Sequence, residues 1–213
     1  MKKKNIFFVL TFAFSTIFNA QEQTKNSESM SFGVKGGYNL SNMQIFGNQL
    51  DSKSYFYAGI VAEQPLSPKL AVQAEVLYTQ LGGKDSYPWF QVIGTDLVEM
   101  GNTNYEYQFN QIQVPISLKY YFIPNLSASA GMNLGFNLSS KVKTDNNFNS
   151  TNDNSVHSIK TLNIFPFLGA EYKINEKFFV DARYNFDFIR INKSDMIPMK
   201  IGFLQAGVGY RFK

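Results

Sequence analysis

The 213-residue sequence has no cysteine, one histidine and one tryptophan, and only 17% of it is charged. Without cysteine there can be no disulfide framework, thiolate metal site, cysteine nucleophile or lipid-modified cysteine anchor. A lone histidine, His157, excludes multi-histidine metal sites. The charged fraction lies under the usual value of about 25%. Together with 16% aromatics it argues against disorder and against nucleic-acid binding. After the first twenty residues no run of 18 apolar residues occurs, so helical membrane spans are excluded. What remains is an aromatic-rich chain with few reagents for chemistry.

Residues 1–20 stand apart. Three lysines, an apolar stretch from Ile6 to Phe18 and then Asn19-Ala20-Gln21 follow the order of a secretory signal peptide. The apolar stretch is too short for a membrane span of about 20 residues. Cleavage after Ala20 leaves 213 − 20 = 193 residues and removes Lys2, Lys3 and Lys4, so the formal charge falls from +4 to +1. The pI of 9.1 therefore carries no argument about acidic partners. The chain reads as exported from a bacterium. Residues 21–30 read as a short periplasmic lead, and 31–213 as one domain.

That domain alternates with period 2, the signature of β-strands. Leu70, Val72, Ala74, Val76 and Tyr78 share one face, opposite Gln73, Glu75 and Thr79. The same pattern runs through 111–122, 125–138 and 177–188, and four further segments near 31–41, 54–64, 159–173 and 200–212 bring the expected total to eight strands. The connections alternate in length. Pro65–Pro68, Ile123–Asn125 and Ile174–Glu176 are tight, whereas 42–53, 82–104, 140–158 and 190–199 are long. An even number of antiparallel strands with short turns on one side and long loops on the other predicts an all-β, eight-stranded transmembrane barrel of the outer-membrane type, its long loops outside.

Alternation alone does not say which face points inward, since a soluble lipocalin-like barrel also has eight strands. Three features favour lipid outside. The polar face is rich in small residues (Ser127, Ser129, Gly131, Gly135, Gly169, Gly207 and Gly209), as a narrow interior requires. Its few charges mix signs: Lys35, Glu75, Lys119, Glu171, Asp181, Arg183 and Arg211. Aromatics crowd the strand ends, with Tyr120, Phe122, Tyr172, Phe178, Tyr210 and Phe212 near the short turns. Tyr38, Tyr57, Tyr78, Tyr107, Phe136 and Phe188 form the expected belt near the loops. Pro115 and Pro166 each remove a ladder donor and are candidates for bulges.

The segments SFGVKGGYNLSNM at 31–43 and QVPISLKYYF at 113–122 resemble the outer-membrane β-barrel domain proteins known as the PorT family, or porin family proteins, of Bacteroidetes. The resemblance covers about 31–213. It implies a barrel in the outer membrane of a Gram-negative bacterium and raises a secretion or gliding accessory role. It implies no reaction.

The motifs that could carry chemistry are weak. His157 with Asp153, Ser155 and Ser158 could be imagined as a lipid-modifying set, but a polar loop offers no scaffold for it. The segment 145–154 resembles a calcium loop but has Ser150 at the glycine position and Val156 at the closing glutamate position. Gly36-Gly37 and Gly82-Gly83 match no phosphate-binding spacing. Gln205, Gly207, Tyr210 and Phe212 resemble the C-terminal signal read by the barrel-assembly machinery, one residue from the usual register because of Lys213. No catalytic, cofactor-binding or metal-binding residue is assigned, and no cofactor is expected. The expected partners are outer-membrane lipid, the barrel-assembly machinery and an extracellular or secretion-system protein, with no nucleic acid. The expected function is a non-enzymatic barrel with a plugged interior, acting through its outer loops. A small pore is the alternative, and a lipid-modifying enzyme ranks behind both.

Overall fold

The computed structural model describes residues 29–146, 149–155, 159–194 and 197–212. The expected signal peptide lies outside the described residues, as do His157, Ser158 and Lys213. Ten strands follow one another: β1 (Ser31–Ile45), β2 (Asn48–Gln49), β3 (Lys53–Ser67), β4 (Leu70–Ile93), β5 (Asp96–Ile123), β6 (Leu126–Asn146), β7 (Asn149–Ser155), β8 (Leu162–Lys173), β9 (Phe178–Asn185) and β10 (Met199–Phe212). Eight of them pair in the order β10-β9-β8-β6-β5-β4-β3-β1, and β10 pairs again with β1. That last pairing runs from Phe32 opposite Phe212 to Ile45 opposite Met199, so the sheet closes on itself. β2 and β7 are short additions beside β1 and β6.

The wall is inverted relative to a soluble protein. Ile60, Ile116, Leu118, Met132, Leu168 and Val208 are 48–61% exposed, while Lys35, Glu75, Gln113 and Lys119 are 0–4% exposed. Water on that outer surface would carry a large hydrophobic cost, and lipid removes it. The small inward residues let the walls approach. A methyl group at Gly209, for example, would overlap the Phe179 ring.

The tight turns are locally encoded. Ser67 Oγ accepts from Leu70 N at 3.1 Å, and Asn175 Oδ1 accepts from Lys177 N and Phe178 N at 2.8 Å each. At the opposite end two expectations change. The segment 82–104 is not a loop: β4 and β5 continue as a paired hairpin to Ile93 opposite Asp96, closing over Gly94 at φ 67°. Its β-branched and aromatic residues sustain pairing through Gly82, Gly83 and Pro88. β6 likewise continues to Asn146 and pairs with β7. Pro115 causes no bulge: the β4–β5 register is the same on both sides of it, and only the pairs opposite Val114 and Pro115 are missing. Pro166 turns its missing donor towards β9 where that ladder ends, its carbonyl accepting from Phe186 N at 2.8 Å.

The two aromatic belts are present with one revision. Tyr120–Phe122, Phe178–Tyr210 and Tyr210–Phe212 make edge contacts near the short turns. Near the loops, Tyr38, Tyr78 and Phe188 lie outside, but Tyr57 is buried inside and Tyr107 packs against the inner core. Three consecutive aromatics, Tyr55-Phe56-Tyr57, offer both faces. Glu63 and the pairing of Tyr57 with Thr79 turn Phe56 outward instead, where it meets Tyr78 at 6.4 Å.

Candidate functional site: the interior and the projecting hairpin

The interior is arranged in three tiers. Nearest the short turns, eight charges form two closed rings of alternating sign. In one, Lys119 on β5 touches Glu63 at 2.6 Å and Glu171 at 2.9 Å, and Arg211 on β10 touches the same carboxylates at 2.8 and 2.7 Å. In the other, Arg183 on β9 reaches Glu75 at 2.5 Å and Asp181 at 3.3 Å. Lys35 on β1 meets Asp181 at 2.6 Å and Glu75 at 3.4 Å. Gln73 joins the rings, donating to Glu75 at 2.6 Å and accepting from Lys119 at 3.0 Å. Four cations face four carboxylates, so the tier is neutral. Its members come from seven of the eight wall strands, all but β6, which makes it a lock on closure as well as a filling.

Above this tier lies a layer of amides. Asn133 donates to Gln113 at 3.1 Å and to Asn185 at 3.0 Å, while Gln113 donates to Gln111 and Gln111 to Asn137. Gln111, Gln113 and Asn185 each both donate and accept, so the layer pairs without net charge, and the buried Asn133 Oδ1 is left without a partner. At the loop end Met43, Leu50, Leu81, Phe109, Phe165, Ile191, Ile201 and Phe203 close into an apolar cluster, with Phe165 and Phe203 edge to face at 5.2 Å. Leu50 and Ile191 come from segments that fold over the mouth. A cavity of about 10 Å³ remains beside the ionic tier, on the scale of one water molecule.

All seven charges expected inside are there, and the sequence reading missed Glu63. The missing residue could have been inferred. Four cations had been set against three anions, and Glu63 shares parity with Tyr55, Tyr57 and Val61, which are also buried. The apolar cap was not foreseen, because its members are drawn from seven separate stretches of chain.

Outside, the β4–β5 hairpin continues eleven residues from Gly83 to Ile93, about 35 Å at strand rise. It exposes Tyr87, Phe90, Val92, Ile93, Leu97 and Val98. The Tyr87 hydroxyl donates to Asp85 at 2.5 Å, and this bond, unavailable to a phenolate, raises its pKa. Neither chemical motif gains a site. Asp153 and Ser155 lie on β7, and His157 and Ser158 lie outside the described residues. Of the calcium-like segment, the described residues 145–146 and 149–154 run in strands. Among the described residues no group of three acidic, histidine or cysteine side chains could hold a metal ion. Gln205 is buried inside, while Phe212 is exposed on the outer face.

Solved structures share this fold. The Ail attachment invasion locus protein of Yersinia pestis, in complex with the heparin analogue sucrose octasulfate, is 17% identical, covering 87% of this chain and all of that one at a TM-score of 0.53. Neisserial surface protein A is 16% identical with the same coverage of both chains and a TM-score of 0.52. At such identities the likeness is one of fold. A search of curated proteins finds no match. The family description "outer membrane protein beta-barrel domain" matches residues 19–192, most of the chain. The chain belongs to the outer membrane protein beta-barrel domain family, and its place is the outer membrane.

Proposed function

We propose that the protein is a non-enzymatic, non-conducting barrel that holds a partner on its projecting β4–β5 hairpin. One contrast supports this reading. The eight ring charges are paired and the mouth is closed by apolar side chains, whereas the hairpin offers apolar residues and strand edges to the outside. Ion flow would have to break paired charges and part an apolar cluster. A hairpin needed only to close the barrel could have ended near Gly82, so its extra length points to binding. The attachment named for the Ail protein, a barrel of the same fold, is consistent with this class of role. The signal peptide at 1–20, insertion by the barrel-assembly machinery, and a PorT-type secretion accessory role in Bacteroidetes belong to the same reading.

Single-channel recording of the purified barrel in planar bilayers is expected to give no steady conductance. A photo-crosslinking residue at Phe90 or Val98 in intact cells is expected to yield one discrete adduct, lost when 85–103 is replaced by a two-residue turn. A stable open state would replace this reading with the small-pore alternative. Absence of any adduct beyond the intact barrel would remove the hairpin's role.

A further inference from the structure

Above the barrel rim, β4 of the projecting hairpin has an edge that leaves its neighbour behind. The chain before β3 follows β4 as far as the isolated bridge between Asp51 and Lys84, where Asp51 N donates to Lys84 O at 2.9 Å and Lys84 N to Asp51 O at 3.1 Å. Among the described residues, β5 is the strand that pairs with β4 beyond that point. Residues of an antiparallel strand turn their backbone groups to alternate sides. Those of Ser86, Pro88, Phe90 and Val92 therefore point the same way as those of Lys84, away from β5. The register shift at Trp89/Phe90 places its extra residue, Met100, on β5, so the alternation along β4 is kept.

The lower half of this edge is blunted. Ser86 N donates to Asp85 Oδ1 at 2.9 Å, and Pro88 has no N–H to offer. The upper half carries no such device. Phe90 and Val92 each present an N–H and a C=O along it, and the side chains around them are apolar. Phe90 and Val92 share one face with Leu97 across the hairpin, at 47, 67 and 67% exposure, and Ile93 and Val98 lie exposed on the other. An apolar strand end left open above a blunted one is a template for one more strand.

We propose that an extended segment of another protein, with lysine or arginine among apolar residues, adds to β4 as a strand along Phe90–Ile93. The inference rests on the reading of the hairpin as the holding element and specifies how it holds. Charge selects the partner. From Asp85 to Asn102 the chain carries Asp85, Asp96 and Glu99 and no lysine or arginine, and Asp96 and Glu99 are exposed. A strand added to β4 lies about 10 Å from β5, a gap that a long cationic side chain and a carboxylate close between them. A second copy in the same membrane fits poorly. Barrel strands tilt by about 40°, so a twofold axis along the membrane normal would cross the two β4 edges at roughly 80° and bring acid towards acid.

The test places a photo-crosslinking residue at Val98, on β5 and away from the edge, in intact cells. Val92→Pro removes an edge N–H at the same kind of position that Pro88 already occupies, and Val92→Thr keeps the N–H while changing the side chain. The adduct should fall roughly tenfold with Val92→Pro and persist with Val92→Thr, while both variants keep the compact band of a folded barrel on unheated gels. Pro88→Val, which restores a donor to the blunted half, should raise the yield. The captured segment, mapped by mass spectrometry and synthesised, should bind the purified barrel in phosphatidylcholine nanodiscs. N-methylation of its alternate amides should abolish that binding, and Asp96→Asn with Glu99→Gln should weaken it roughly two- to fivefold. An adduct that survives Val92→Pro would overturn strand addition and leave the hairpin reading standing, whereas no adduct on the native hairpin would overturn both. An adduct of two barrels, or a captured segment without lysine or arginine, would overturn the choice of partner.

Discussion

Replacing Glu75 by glutamine is the sharpest test of the interior. The side chain keeps its shape and loses its charge. Glu75 is 2% exposed and meets Arg183 at 2.5 and 2.7 Å, Lys35 at 3.4 Å and Gln73 at 2.6 Å. Its removal leaves Arg183 and Lys35 sharing one carboxylate, Asp181, and gives the tier a net charge of +1. Breaking one partner out of a buried pair costs about 3–5 kcal/mol. Because each cation retains Asp181, the expected loss lies near the lower end, about 3 kcal/mol. Urea titration of the barrel in lipid vesicles, followed by circular dichroism of the β-sheet, would measure it. The double variant Glu75→Gln, Arg183→Gln restores neutrality. It should be less destabilised than the sum of the single variants by roughly 1–3 kcal/mol. Additive losses, or a Glu75→Gln barrel within about 1 kcal/mol of the native one, would mean that the rings are not what holds these strands together.

The wall and the topology give two further expectations. Val76→Arg or Leu134→Arg, on the lipid face, should each cost roughly 2–4 kcal/mol in vesicle refolding, and Ile60→Thr much less, because only a charge has to be moved out of lipid. Protease added to intact cells should cut within 84–104 and spare the turns at 65–68 and 174–176; the opposite pattern would invert the barrel.

The wall was legible because its rule is local. Period-2 alternation at 70–79 or 177–188 shows which residues share a face, and small inward residues such as Gly207 and Ser127 mark the narrow side. The ends were harder. Asp85-Ser86-Tyr87-Pro88 carries turn-forming residues, yet Val92, Ile93, Leu97 and Val98 supply enough β-forming side chains to carry the ladder past it to the turn at Gly94-Thr95. Tyr57 and Tyr107 were placed in the outer belt by composition, whereas parity with buried Tyr55 and Phe109 turns them inward. The ion rings were legible as a set of charges and not as a pattern of pairs. Lys35 finds Asp181 146 positions away, and only the closure of β10 on β1 brings them together.

That long reach bears on how the barrel is made. The β1–β10 seam joins the two ends of the barrel domain and is the last pairing for which both strands can exist. Its backbone ladder resembles every other in the wall, so hydrogen bonding alone would accept β10 shifted by two residues. The rings refuse such a shift. Arg211 on β10 must meet both Glu63 and Glu171, and Lys35 on β1 must meet both Glu75 and Asp181. Moving β10 by two residues would carry Arg211 about 7 Å along the axis and leave its charge unpaired in the lumen. A side-chain period of 2 preserves the lipid face under that slip and would otherwise leave it uncorrected. The ionic tier therefore specifies the one register that the wall's own alternation cannot.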